Sequence, residues 1–170
     1  MEGIAVLVNI RAGKEADVPR LTEIYNAEVL GSIATFDTVE RTEDERLQWF
    51  RAHGTLRYPL FVAEVDGRVE GYAAHSPYRP HDAYATTAEL SVYVDARWRG
   101  NGIASRLLEA VLQQACASGE LHVIVSVIAG GNEASVRLHE RFGFRYGGTL
   151  PQVGFKHGAY RDIVQYYVFV

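Results

Sequence analysis

The residues best suited to chemistry begin with Arg99-Gly100-Asn101-Gly102-Ile103-Ala104, which falls between a segment of strand periodicity and the most regular helical pattern in the chain. A small-residue turn that opens a helix leaves backbone N–H groups without partners, and the positive end of the helix dipole favours an anion such as a pyrophosphate there. Glycines let phosphates approach closely. The same two glycines also suit an ordinary strand-to-helix turn; no Gly-Lys-Ser/Thr follows, and the spacing is not that of a dinucleotide fingerprint. Glu89 is an acidic residue within an otherwise apolar and small strand pattern, placed to accept a proton, although a lone Glu is more commonly a solvated residue on the open face of a half-buried strand. His139, with an imidazole pKa near ~6.5, could serve as acid or base, or simply pack. The histidines at 53, 75, 81, 122, 139 and 157 show no metal-binding spacing, so no metal is expected. Cys116 is the only cysteine, which excludes an intrachain disulfide and a thiolate cluster. Helical periodicity places it beside Ala115 near an apolar stripe, where a buried thiol would be inert.

Several local signals set the elements that position these groups. Ile4 to Ile10 reads as a strand, followed by a helix that Asp17 could cap, with Pro19 in its first turn and Val18, Leu21, Ile24 and Tyr25 on one face. Thr42 and Glu45 form a capping box for a second helix with Leu47 and Phe50 as its apolar stripe and Gly54 as its stop. Asp66-Gly67 between two β-rich runs predicts a type I′ hairpin. Ser76 to Thr87, with Pro77 and Pro80, reads as an irregular loop. Ala88 to Val94 alternates as a strand, and Ile103 to Ala115 follows helical spacing up to Gly119. His122 to Ile128 is a buried strand, Asn132 caps a helix running to Arg141, and Phe144 to Tyr146 and Ile163 to Val170 supply the last strands, joined through Gly154 and Gly158. The order βααββ, βαβα, ββ predicts one α/β (α+β) domain around a mixed sheet.

Bulk properties agree. A chain of 170 residues, 48% hydrophobic and 22% charged, suits a single folded domain. Seventeen Lys+Arg against 21 Asp+Glu give a net charge of −4, which disfavours a partner bound by phosphate neutralisation, so no nucleic-acid partner is expected. No apolar run approaches the ~20 residues of a membrane span, and the first residues lack the pattern of a secretory signal. No membrane association and a cytoplasmic location are expected.

The strand Glu89-Leu90-Ser91-Val92-Tyr93-Val94 followed by Arg99-Gly100-Asn101-Gly102-Ile103-Ala104 resembles the Gln/Arg-x-x-Gly-x-Gly/Ala signature of the GNAT N-acetyltransferases. The segments Asn132 to Glu140 and Gly154 to Asp162 are similar to the phosphinothricin and methionine sulfoximine acetyltransferase subfamily. The resemblance implies a GNAT domain over residues 8–170, with 1–7 an extension or the start of the first strand, and a mostly antiparallel sheet splayed at an acetyl-CoA cleft. It places the pyrophosphate on the N–H groups of Arg99, Gly100, Asn101, Gly102, Ile103 and Ala104, the pantetheine arm along Val92, Tyr93 and Val94, and Asn132 near the thiol end. It further implies a bulge in the Ala88 to Val94 strand, whose backbone N–H polarises the thioester carbonyl.

The implied activity is acetyl transfer from acetyl-CoA to the primary amine of a small amino-acid-like acceptor, directly within a ternary complex. An α-ammonium with a pKa near ~8 must first lose a proton, and Glu89 matches the family's strand carboxylate for that role. His139 occupies the position where most members have a tyrosine thought to protonate the thiolate. Thr35 and Phe36 correspond to pocket-shaping residues, and Tyr78 with Arg79 supplies a candidate clamp for a carboxylate or phosphinate. The subfamily commonly forms homodimers. Two other readings remain open at this point: an acetyltransferase for a protein N-terminus or polyamine, and a non-catalytic acetyl-CoA sensor.

Overall fold

Pairing of neighbouring segments in a computed structural model, which describes residues 7–170, builds one seven-stranded sheet in the order β1-β2-β3-β4-β5-β7-β6. The strands are β1 (Val8–Ala12), β2 (Leu60–Val65), β3 (Arg68–Pro77), β4 (Thr87–Val94), β5 (Val123–Ala129), β6 (Arg145–Lys156) and β7 (Ala159–Phe169). The helices are α1 (Val18–Gly31), α2 (Glu43–Arg51), α3 (Ile103–Ser118) and α4 (Glu133–Arg141). Every pairing is antiparallel except β4 with β5. The expected element order and mixed, mostly antiparallel sheet are therefore present. Of the strand expected over Ile4 to Ile10, residues 4–6 lie outside the described residues, and β1 runs on to Ala12.

The local signals act as their chemistry predicts in most places. Thr42 N–H donates to Glu45 Oε2 at 2.8 Å and Glu45 N–H donates to Thr42 Oγ1 at 3.2 Å, a reciprocal box that starts α2. Asp66 and Gly67 take φ of 49° and 79°, as a type I′ turn requires. Leu107, Leu108 and Val111 of α3 are fully buried and pack with Ile124 of β5 and Ala73 of β3 in the main core.

Other expectations need correction. Asp17 does not cap α1 with its side chain; its carboxylate accepts from the Lys14 N–H and from Arg11, closing the 3-10 turn before the helix. Helix α2 buries Arg46, whereas Leu47 and Phe50 are only half-buried, because Arg46 faces Tyr25, Trp49 and Tyr72 and is solvated by their rings. Cys116 is exposed: one position past buried Ala115 is about 100° farther round the helix. The glycine-rich connection after Tyr146 is strand, interrupted by register shifts at Tyr146/Gly148 and Leu150/Gly154, and the turn is confined to His157-Gly158 with φ of 52° and 73°.

Candidate active site

The only parallel pair in the sheet creates the site. β4 and β5 are hydrogen-bonded only from Thr87/Val123 to Glu89/Val125, and beyond that point they diverge. The implied bulge in β4 is not seen in its pairing with β3, which runs residue for residue from Ala88/Pro77 to Val94/Gly71; the opening comes from the lost partner on the β5 side.

The resulting cleft, of about 670 Å³, has Val92, Tyr93 and Val94 on one wall and Arg99, Gly100, Gly102, Ile103 and Ala104 at the start of α3, with Asn132 and Ser135 of α4 opposite. Gly100 and Gly102 take φ of 80° and 75°, a conformation that turns the chain into α3 without a Cβ penalty. The first intrahelical bond after the turn runs from the Arg106 N–H to the Gly102 carbonyl at 3.2 Å, so the N–H groups just before it, in residues that line the cleft, lack helix partners. Asn101 is not in the wall; its side-chain amide donates to the Trp98 and Arg99 carbonyls at 3.2 and 3.3 Å and braces the turn from outside. Arg99 forms an ion pair with buried Glu28 and donates to the Val94 carbonyl at 3.3 Å, tying the turn to α1 and to the strand.

A second cavity of about 230 Å³ continues from this cleft, sharing Val92, Tyr93, Asn132 and Ser135 with it. It collects Glu89, Thr35, Phe36 and His139. Glu89 is half-buried, and that burial lifts its pKa above the usual carboxylate value, against the opposing charge of Arg79. His139 is 2% exposed; its Nδ1–H donates to the Ser135 carbonyl at 2.7 Å, and burial holds its pKa below the ordinary histidine value. The proton on Nδ1 leaves Nε2 as the acceptor of a neutral ring, and Nε2 is buried without a partner. Asn132 is an N-cap, its Oδ1 accepting from the Ser135 N–H at 3.2 Å, and it also stands at the junction of the two cavities.

Thr35 and Phe36 reach this cavity because β6 holds their loop. Lys156 Nζ donates to the Thr35 carbonyl at 2.7 Å and to the Glu28 carbonyl at 3.3 Å, and Gly154 leaves room for Phe36, whose ring a Cβ there would meet at 2.4 Å. Sequence reasoning missed Lys156, for which no local pattern exists, and assigned Gly154 to a connection. Tyr78 and Arg79 do not line either cavity. They sit just outside, with the Arg79 guanidinium carbon 5.1 Å from the Tyr78 ring centroid, near enough for its charge to reach Glu89. Among the described residues no group of three His, Cys, Asp or Glu could hold a metal ion, and no helix is long and apolar enough to cross a membrane.

The Acetyltransferase (GNAT) family profile matches residues 20–144. The chain is 44% identical to a phosphinothricin N-acetyltransferase of Streptomyces coelicolor over 94% of each chain. It is 38% identical to an L-methionine sulfoximine/L-methionine sulfone acetyltransferase of Salmonella typhimurium, over 92% of this chain and 91% of that one. Among solved structures, a GNAT superfamily phosphinothricin acetyltransferase from Sinorhizobium meliloti in complex with AcCoA superposes with a TM-score of 0.92 at 32% identity, over 96% of this chain and 88% of that one. The splayed sheet, the glycine turn at the start of α3 and these similarities together place the chain in the GNAT acetyltransferase family.

Proposed function

We propose that this acetyltransferase moves the acetyl group of acetyl-CoA to the α-amine of a small amino-acid-like acceptor of the phosphinothricin, methionine sulfoximine or methionine sulfone class. The observation that carries this reading is the half-buried Glu89 carboxylate in a cavity that opens onto the cleft at the start of α3. Acetyl-CoA supplies the activated acyl group. The free N–H groups from Gly100 to Ala104 and the helix dipole suit its pyrophosphate, and Val92, Tyr93 and Val94 wall the channel towards Glu89. Glu89 removes a proton from the acceptor ammonium, creating the lone pair that attacks. A carboxylate with a raised pKa is the stronger base, and the charge of Arg79 opposes that rise.

Neutral His139 presents Nε2 as an acceptor, which fits holding a donor in the cavity rather than giving a proton to the departing thiolate. Cys116 lies on the outer face of α3 and lines neither cavity, so transfer is direct, within a ternary complex. A cavity of about 230 Å³ suits an amino acid better than a protein terminus. The domain extends over residues 8–170 and acts in the cytoplasm. Two copies associate through the β6–β7 hairpin, whose Phe155 and Tyr160 are 61% and 67% exposed; light scattering tests this, and a monomer at micromolar concentration overturns it.

The test of function is CoA release, followed as free thiol, with phosphinothricin, methionine sulfoximine, methionine sulfone, a polyamine and a peptide amine as parallel acceptors. Turnover with the amino-acid acceptors alone is expected. Turnover only with the peptide or polyamine contradicts the acceptor class, and acetyl-CoA binding with no release from any acceptor supports a sensor.

A further inference from the structure

A third cavity, of about 340 Å³, lies between α1, α2 and the middle of the sheet, and it contains a charge for which the fold provides no counterion. Arg46 is 6% exposed, and its guanidinium carbon lies 3.8 Å from the Trp49 ring centroid, 4.6 Å from that of Tyr25 and 5.8 Å from that of Tyr72. Nη2 donates to the Tyr72 hydroxyl at 3.1 Å, while Nε is buried with no partner. Arg46 makes no ion pair among the described residues. The carboxylates in the same wall are engaged elsewhere: Asp37 accepts from the Tyr25 hydroxyl at 2.6 Å and from Arg41 at 2.9 Å, and Glu45 closes the α2 capping box.

Burying a guanidinium is costly unless an anion or good hydrogen bonds compensate, and aromatic faces offset only part of that cost. A guanidinium with no counterion, and with its Nε–H still without a partner, in the wall of an open cavity is suited to a planar or tetrahedral group of acceptor oxygens. The position of the cavity says which group. Ser91 and Tyr93 line both this cavity and the one that holds Glu89. Glu89, Ser91 and Tyr93 alternate onto one face of β4, so Ser91 lies about 7 Å along the strand from Glu89. The α-carboxylate of an amino acid is two bonds from its amine and stays beside Glu89, whereas a group four bonds of about 1.5 Å away extends towards Arg46.

We propose that Arg46, set in its aromatic box, binds the terminal oxygens of the acceptor side chain, and so selects amino acids that end in an anionic phosphinate or carboxylate or in the neutral but strongly polar oxygens of a sulfonyl-type group. This rests on the acetyl-transfer reading for its biological meaning but not for its test. In the wild-type protein without acetyl-CoA, the Arg46 Nε–H resonance is titrated with phosphinothricin, with inorganic phosphate and with norleucine, which has the same reach and no oxyanion. A saturable shift with phosphinothricin and none with norleucine is expected. No shift with phosphinothricin, an equal response to norleucine, or a response to phosphate alone overturns the proposal, and none of these depends on turnover.

In the kinetic arm, Arg46→Lys keeps the charge and loses the fork, while Arg46→Gln loses both. KM for phosphinothricin is expected to rise about 10- to 100-fold in Arg46→Gln, the loss of a charged hydrogen bond, with an intermediate rise in Arg46→Lys. The KM for acetyl-CoA is expected to stay unchanged in both. A KM for phosphinothricin that is unchanged in folded Arg46→Gln overturns the assignment. A failure of the acetyl-transfer reading shows differently: no acceptor is turned over by the wild type, while the Nε–H titration still reports on the site.

Discussion

Replacing Glu89 with Gln changes one proton-accepting oxygen and almost no volume. The Glu89 side chain makes no hydrogen bond among the described residues and stands in the cavity wall, so the substitution breaks no side-chain contact of that kind and acetyl-CoA affinity is expected to be retained. A positioned general base contributes about 10²–10⁴ in rate, equivalent to about 3–5 kcal/mol of barrier. Turnover at neutral pH is therefore expected to fall by that factor. The wild-type pH profile carries a second signature. Because burial raises the Glu89 pKa, the acid limb of kcat/KM should lie above the usual range for Glu, and activity is lost as pH falls through it. Removing the opposing charge with Arg79→Gln should move that limb further up. In Glu89→Gln the limb disappears, and the residual rate follows the ionisation of the acceptor amine near ~8. Free-thiol release between pH 5 and pH 9, with acetyl-CoA affinity measured separately by calorimetry, reads all of these. Near wild-type turnover with the acid limb in place would show that another group takes the proton.

Three further outcomes follow from the same geometry. Gly102→Val should weaken acetyl-CoA binding, read by calorimetry, for a backbone reason: nothing lies within 4 Å of a Cβ there, but φ is +75°, a conformation that costs a β-branched residue about 1–2 kcal/mol; unchanged affinity would place the phosphates elsewhere. Gly154→Ala puts a methyl 2.4 Å from the Phe36 ring and should raise the acceptor KM with little change for acetyl-CoA, and a wild-type acceptor KM would contradict the placement of Phe36. His75 is fully buried with both ring nitrogens unpartnered, and burial pushes its pKa down to about 4. The unfolded chain binds that proton near 6.5, so stability is complete above that pH and falls by about 3 kcal/mol as pH drops towards 4. In urea titrations at pH 7 and pH 4.5, His75→Leu should lessen that acid loss, and an identical loss in the variant would assign it to other groups.

The parts of the fold that were legible are those written in local chemistry. The Thr42/Glu45 box, the Asp66-Gly67 turn and the α3 periodicity each depend on a few neighbouring residues, and each forms as expected. The long β6–β7 hairpin was hidden because Pro151, Gly154 and Gly158 look like loop residues, yet Gly154 is a packing gap for Phe36 and only His157-Gly158 is a turn. Within the site, strand alternation, a cap and helical spacing placed Glu89, Asn132 and His139 on their elements, but only the family resemblance singled them out, because a lone Glu, Asn or His in a sequence reads equally well as a solvated, capping or packed residue. Arg46 and Lys156 were not singled out. Their burial depends on aromatic rings and carbonyls brought in from α1, the loop after it and β3, and a single cation in a sequence carries no sign of such distant partners. Cys116 was misplaced by a single helical step.

The most direct measurement of the central claim is mass-spectrometric identification of the product formed by the purified protein from labelled acetyl-CoA and an equimolar mixture of phosphinothricin, methionine sulfone and a peptide with a free N-terminus. The account predicts label on the α-amines of the two amino acids, absent in the Glu89→Gln protein over the same time. Label on the peptide alone, or equal labelling by wild type and Glu89→Gln, would contradict it.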